Sequence, residues 1–298
     1  MADIEITVDG FTLKRLLTAG KYCDKNILVT ATGGGGGEPE PPDDGKTRLY
    51  ITVPANSMPD RPPPRNEVPL YIQQSVDNGV TIDWGDGSDP ETLPGTGNVT
   101  TTHTYQQAGD FVISLDPAEG CELGFGRGTA SYCVMGKISN EGISYRSMLQ
   151  RIVIGSRGVS SIRDYAFQNC YSFSSTTIPE NVTSIGEYAF YKCYSLSSAT
   201  IPENVTSIGE YAFYKCYSLS SATIPENVTS IGNSAFSGCY GVKEYHLLPT
   251  TPPSLSSTSA FFGILSDCII YVPVGSLEAY QTATNWSTYA DQMREEPA

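Results

Sequence analysis

The sequence predicts a mainly β protein. A sandwich of short strands is followed by a solenoid winding about 23 residues per coil, which ends on a short capping helix. Three observations predict it. First, the 23-residue block IPENVTSIGEYAFYKCYSLSSAT runs from Ile178 to Thr200 and recurs unchanged from Ile201 to Thr223. Second, a further copy starts at Ile224 and a looser one at Ile154, so Cys170, Cys193, Cys216 and Cys239 fall at intervals of 23. Third, upstream runs such as RLYITV, VTIDWG and DFVISL alternate apolar and polar residues between turn-rich stretches, as half-buried strands do.

A fixed period of this size marks stacked coils, each one supersecondary unit long. The apolar positions of one perfect copy are Ile201, Val205, Ile208, Ala212, Phe213, Cys216 and Leu219, with polar residues and tyrosine between them. A lone coil leaves both open faces of that set in water, so several coils must fold together. The four periodic cysteines take inward positions, where a free thiol acts as a small hydrophobe. Gly186, Gly209 and Gly232 are expected to serve a turn repeated in each coil. Pro179, Pro202 and Pro225 end the strand before them, because proline cannot donate to a ladder.

The pattern I-P-x-x-V-x-x-I-G-x-x-A-F-x-x-C-x-x-L, over about residues 148–274, resembles the leucine-rich repeat of bacterial BspA-type surface proteins. Cys268 to Trp286 is similar to the terminal cap of such arrays, with Ser276 capping a short helix that carries Leu277 and Tyr280 on one face. The resemblance implies adhesion or recognition at bacterial surfaces and brings no catalytic residues with it.

The rest of the chain divides by composition. Residues 1–32 form a small docking segment. Ile4, Ile6 and Val8 alternate as in a strand, Phe11 to Leu17 suits two helical turns stopped at Gly20, and Asn26 to Thr30 suits a second strand. Within it, LLTAGKYCDKNILVTATGG resembles N-terminal segments of phage and prophage tail-associated proteins, which implies a docking partner. Residues 33–45 are a glycine-, proline- and acid-rich linker. In residues 46–118, WGDGS (Trp84 to Ser88) and HTYQQAGDFVISL (His103 to Leu115) resemble the PKD-type immunoglobulin-like sandwich. There Gly85 and Gly87 allow a tight turn, Asp86 bonds backbone amides or His103, and Trp84 and Tyr105 fill the core. Residues 119–150 either finish the sandwich or cover the open first coil. The solenoid takes residues 151–274, and 275–298 are cap and tail.

Charge and motifs narrow the function. A net charge of −14 argues against nucleic acid, which needs clustered Lys and Arg. There is no run of 18 apolar residues, so no membrane insertion is expected. The opening MADIEITVDGF carries acids where a signal peptide needs basic and then apolar residues. For a surface protein, that points either to a particle assembled inside the cell or to native ends beyond this sequence. Asp83, Asp86 and Asp89 lack calcium-loop spacing and read as a turn. DGKT (Asp44 to Thr47) has Glu40 where a phosphate loop needs its first glycine. His103 and His246 are the only histidines and lie in no hydrolase signature. Without C-x-x-C pairs no zinc site is read, and no cofactor is expected. Cys121 and Cys133 are left either free or paired in an oxidising compartment. The sequon asparagines, Asn98, Asn181, Asn204, Asn227 and Asn285, are explained by turns.

Nineteen tyrosines are the sharper signal. Tyr165, Tyr188 and Tyr211 share one position of the coil. Tyr171, Tyr194, Tyr217 and Tyr240 share another, and Tyr191 and Tyr214 a third, beside Lys192 and Lys215. Coils about 4.8 Å apart would turn these into ladders. The ladders either brace the wall or bind, and tyrosine suits recognition surfaces. The candidate ligand-binding residues are Tyr188, Tyr191, Lys192, Tyr194, Tyr211, Tyr214, Lys215 and Tyr217. The expected function is non-enzymatic recognition of a protein or glycan on a cell surface. The alternatives are a tail-associated receptor binder of a phage and an accessory module of a polysaccharide-degrading system.

Overall fold

The computed structural model describes residues 4–8, 11–15, 28–31, 43–54, 66–137 and 143–297. The chain divides into two units, Met1–Asp43 and Asp44–Ala298. In the first, β1 (Ile4–Val8), β2 (Phe11–Arg15) and β3 (Leu28–Ala31) form an antiparallel sheet in that order. The helix expected from Phe11 is therefore a strand over Phe11–Arg15. Seven residues make a marginal isolated helix, whereas here Thr12 pairs with Thr7 on one side and Thr30 on the other. Leu16, Leu17, the Gly20 stop and most of the linker lie outside the described residues.

The second unit begins with β4 (Thr47–Val53), β5 (Glu67–Gln74), β6 (Val80–Asp83), β7 (Glu91–Thr92), β8 (Gly97–Thr104), β9 (Gly109–Pro117) and β10 (Leu123–Phe125). One sheet runs β10-β5-β8, and β4-β9-β6-β7 belong to a second. Leu49, Ile51 and Val53 of β4 and Val68, Leu70 and Ile72 of β5 are buried, alternating with more exposed neighbours, so each strand gives one face to the core.

The described residues 119–137 touch both neighbours. β10 pairs with β5 and extends a sandwich sheet. The hairpin of β11 (Tyr132–Cys133) and β12 (Gly136–Lys137) follows. Beside it, Val134 donates its N–H to the Ala166 carbonyl at 2.9 Å, and Phe125 meets Phe167 at 5.2 Å, covering the first coil. Cys121 and Cys133 are free and buried. The Cys133 thiol lies against Cys170, whose hydrogen bond lowers the pKa of Cys133 against the effect of burial.

After the short helix α1 (Ile143–Arg146), β13 (Leu149–Val153) joins the two halves. Ile152 pairs antiparallel with Leu49 of β4 and parallel with Thr176 of β14 (Ser175–Thr177). Next come β15 (Ser184–Ile185), β16 (Ser198–Ala199), β17 (Ser207–Ile208), β18 (Ser221–Ile224), β19 (Ser230–Ile231), β20 (Glu244–Leu247), β21 (Ser254–Leu255) and β22 (Ile269–Val272). A seven-stranded sheet, β16-β14-β13-β4-β9-β6-β7, thus runs from solenoid into sandwich, and one apolar core spans both.

The solenoid winds about six coils at roughly 23 residues each. Strands of successive coils pair parallel and in register, Ile185 with Ile208 and Ile208 with Ile231. Inside, Phe167, Phe190, Phe213, Phe236 and Phe261 stack at centroid steps of 5.4, 5.1, 5.1 and 5.4 Å. The thiols of Cys193, Cys216 and Cys239 donate to the carbonyls of Phe167, Phe190 and Phe213 at 3.2, 3.3 and 3.1 Å. Cys170 occupies the same inward row. Burial pushes the Cys239 thiol up to about 12, so this row stays protonated.

The repeated glycines differ from expectation. None of Gly186, Gly209 and Gly232 has a left-handed φ. Each lies where coils nearly touch: a Cβ on Gly209 would sit 2.5 Å from the Gly186 carbonyl carbon.

At the C-terminal end, α2 (Leu277–Thr282), a 3-10 turn (Trp286–Gln292) and β23 (Met293–Glu295) close the array. Ser276 precedes α2 without making a side-chain cap. The closure is aromatic instead. The Tyr280 hydroxyl donates to the Pro249 carbonyl and Trp286 Nε1 to the Pro253 carbonyl, each at 2.7 Å, and Trp286 lies 5.5 Å from Phe261.

Candidate recognition surface

Each coil turns outward at a short segment such as Tyr188-Ala189-Phe190-Tyr191-Lys192. Ala189 and Phe190 point into the core, which leaves Tyr188, Tyr191 and Lys192 on the wall. Tyr188 and Lys192 hold left-handed backbone, φ 55° and 56°, and Tyr211 and Lys215 repeat it at 54° and 58°. That conformation costs a residue other than glycine about 1 kcal/mol. It is held by bonds between coils, Tyr188 N–H to the Glu210 carbonyl and Lys192 N–H to the Tyr214 carbonyl, both at 2.8 Å.

The coil spacing brings the predicted residues together. Tyr165, Tyr188 and Tyr211 stack at 5.0 and 4.8 Å. Tyr191 and Tyr214 stack at 5.1 Å and also touch Tyr188 and Tyr211. Tyr171, Tyr194, Tyr217 and Tyr240 form the other ladder, at 5.2, 5.0 and 5.6 Å. Lys192 Nζ lies 5.0 Å from the Tyr191 ring centre and Lys215 Nζ 5.2 Å from that of Tyr214, a favourable cation–π placement. Tyr214 and Tyr217 raise the Lys215 pKa, so it is charged at neutral pH. Among the described residues no carboxylate pairs with either ammonium. Most ring faces are covered by the next ring, so the wall offers ring edges, hydroxyls and two positive charges.

The sandwich motif forms one cluster. Trp84 and Tyr105 are buried, and the Tyr105 hydroxyl donates to the Trp84 carbonyl at 2.8 Å. His103 stacks on Trp84 at 4.8 Å, and its Nε2 lies 2.7 Å from Asp86 Oδ2. Asp86 Oδ1 accepts from the Ser88 amide and hydroxyl at 3.1 and 2.6 Å. Burial pushes the Asp86 carboxyl up, but the bonds from Ser88 and His103 outweigh it and hold the group at about 2. The stabilisation is complete above the unfolded value of 3.8 and is lost as pH falls through about 2. With solvent screening it is worth about 1 kcal/mol. Thermal unfolding followed from pH 5 to 2 is expected to show this loss in the native chain and a flatter limb in Asp86→Asn.

The remaining candidates are structural. Asp83 Oδ1 accepts from the Gly85 amide at 2.9 Å, and no group of metal-ligating residues occurs among the described residues. Asp44 pairs with Arg48, and Lys46 with Asp116. His246 is held 2.7 Å from Glu296. The side-chain amides of Asn181, Asn204 and Asn227 donate to carbonyls of the preceding coil at 2.7 to 2.9 Å. Two residues beside the tyrosine ladders escaped the sequence reading. Arg146 is buried and lies over Tyr171, 5.6 Å from its ring centre. Phe262 is 69% exposed and aligns with Tyr191 and Tyr214, but the longer spacing of the last coil hid the match.

Residues 137–262 match the family model of the BspA type leucine rich repeat region, in six copies. A leucine-rich repeat protein of Bacteroides ovatus ATCC 8483 is 36% identical over 42% of this chain, with a TM-score of 0.36, and the chain spans 32% of its length. The leucine rich repeat protein TpLRR of T. pallidum is 21% identical over 51% of this chain and 75% of its own, with a TM-score of 0.36. A leucine rich cell surface protein of Faecalibacterium prausnitzii A2-165 is 23% identical over 43% and 42%, with a TM-score of 0.28. No curated protein matches. The chain carries a BspA-type leucine-rich repeat region, and its periodic core and tyrosine wall lie within it.

Proposed function

We propose that this chain is a non-enzymatic recognition protein that attaches to a protein or glycan on a cell surface through the tyrosine and lysine wall. The observation that carries it is the placement of Lys192 and Lys215, without ion-pair partners, over Tyr191 and Tyr214 on strained backbone. The same left-handed turn recurs at Tyr165, Asn169, Ser234 and Gly238, so it belongs to the coil, and what favours binding is that two successive coils use it to carry tyrosine and lysine outward. The family match supports a binding role, since leucine-rich arrays present surfaces. The sandwich, with its PKD-like Trp84, Asp86, His103 and Tyr105 cluster, serves as a spacer. Among the described residues no helix is long and apolar enough to cross a membrane.

The test replaces Tyr191 and Tyr214 together by alanine. Attachment to cells or extracted surface material is expected to fall by at least ~10-fold. The two rings take part in four ring contacts worth about 1 kcal/mol each, so Tm is expected to fall by about 10 °C and attachment is read well below the variant's melt. Undiminished attachment would reduce the ladders to wall bracing. A second reading, a tail-associated receptor binder of a phage, is favoured by the separate N-terminal unit and its tail-like sequence. Tail-assembly genes beside the coding sequence would decide for it.

A further inference from the structure

The wall is interrupted for one coil. Where the two preceding coils carry tyrosine, tyrosine and lysine, the next carries Ser234, Ser237 and Gly238, and the one after it Ser259, Phe262 and Gly263. The backbone keeps these positions aligned: Lys215 N–H bonds to the Ser237 carbonyl at 2.9 Å, and Gly238 N–H to the Phe262 carbonyl at 2.8 Å. Tyr214 and Phe262 are thus two coil steps apart, steps that measure 5.1 and 5.4 Å in the phenylalanine stack beneath. One ring is missing between them. Phe262 contacts no other ring among the described residues, although it is 69% exposed. Ser237 is 6% exposed and forms the floor, and its hydroxyl bonds to nothing among the described residues. The Lys215 side chain packs against Gly238, where a Cβ would meet it at 3.1 Å, so the lysine borders the slot.

We infer that this slot between Tyr214 and Phe262 holds one pyranose ring of an acidic glycan, a uronic acid residue, with Lys215 taking its carboxylate and the Ser237 floor a ring hydroxyl. The chemistry fits on three sides. The C–H faces of a pyranose lie flat on aromatic rings, and here Tyr214 and Phe262 hold wall positions two coil steps apart, with Ser237 in place of a ring between them. Sugar hydroxyls need a polar floor. A carboxylate meets an ammonium without a competing acid, in a chain whose net charge of −14 otherwise repels anions. The inference rests on the recognition reading and narrows its ligand to a saccharide at one coil.

The experiment uses the full chain with tetramers of galacturonate and glucuronate, neutral galactotetraose and N-acetyl-tryptophanamide as probes, read by calorimetry. At least one acidic tetramer is expected to bind at least ~10-fold more tightly than the neutral one. Ser237→Tyr restores the residue found at this position in the two preceding coils and fills the slot. It is expected to abolish binding with Tm unchanged or raised, which separates blocking from misfolding. Phe262→Ala is expected to weaken binding by ~10-fold as well. The slot falls if Ser237→Tyr binds like the native chain, if neither acidic tetramer binds, or if the tryptophan probe is preferred. Cell attachment that survives Ser237→Tyr but not Tyr191→Ala would sink the slot and leave the wider wall standing.

Discussion

Replacing Phe213 by alanine is expected to cost about 3–5 kcal/mol, the range for deleting a fully buried aromatic side chain. Phe213 lies in the middle of the stack, 5.1 Å from Phe190 and 5.1 Å from Phe236, and is 1% exposed. Its neighbours cannot collapse into the gap. They are tied to their own coils by backbone bonds such as Phe190 N–H to the Ala212 carbonyl and Phe213 N–H to the Ala235 carbonyl, both at 2.8 Å. A stacked array is held by nearest-neighbour contacts, so the damage falls on both interfaces of one coil. Denaturant unfolding is therefore expected to broaden or split as well as shift, with the sandwich side outlasting the C-terminal coils. A single sharp transition displaced by less than about 1 kcal/mol would contradict this account.

Gly209→Ala is the second large effect, and its sign is the informative part. At an unstrained site such a change stabilises by roughly 0.4–1 kcal/mol. Here the new Cβ would stand 2.5 Å from the Gly186 carbonyl carbon and 2.6 Å from the Glu187 nitrogen, both backbone atoms. The two coils must separate, and a loss of about 3 kcal/mol is expected. Gly87→Ala is the control. Its φ is +86° and nothing lies within 4 Å of the added carbon, so it is expected to cost only about 1 kcal/mol in backbone strain. Thermal melts of the two variants side by side measure the difference.

The contrast between these glycines shows what was legible. The inward rows of Ile, Phe, Cys and Leu could be read directly, because a repeat states its core once per coil. The role of Gly209 could not, because the atoms it must avoid belong to the previous coil. The same limit hid residues 119–150. The partner of Leu149 to Val153 is β4, about a hundred residues earlier, and no local pattern announces so distant a pairing. The tyrosine rows were legible as spacing. The left-handed backbone at Tyr188 and Lys192 was not, since those residue types rarely adopt it. Phe262 was lost for a simpler reason: an altered interval breaks the alignment that repeats make easy.

The strand from Leu149 to Val153 is hydrogen-bonded to sandwich and solenoid at once. There is accordingly no hinge at the junction. A pull applied to the tyrosine wall would reach the sandwich through paired backbone and a shared apolar core, with no flexible connection to take up the movement.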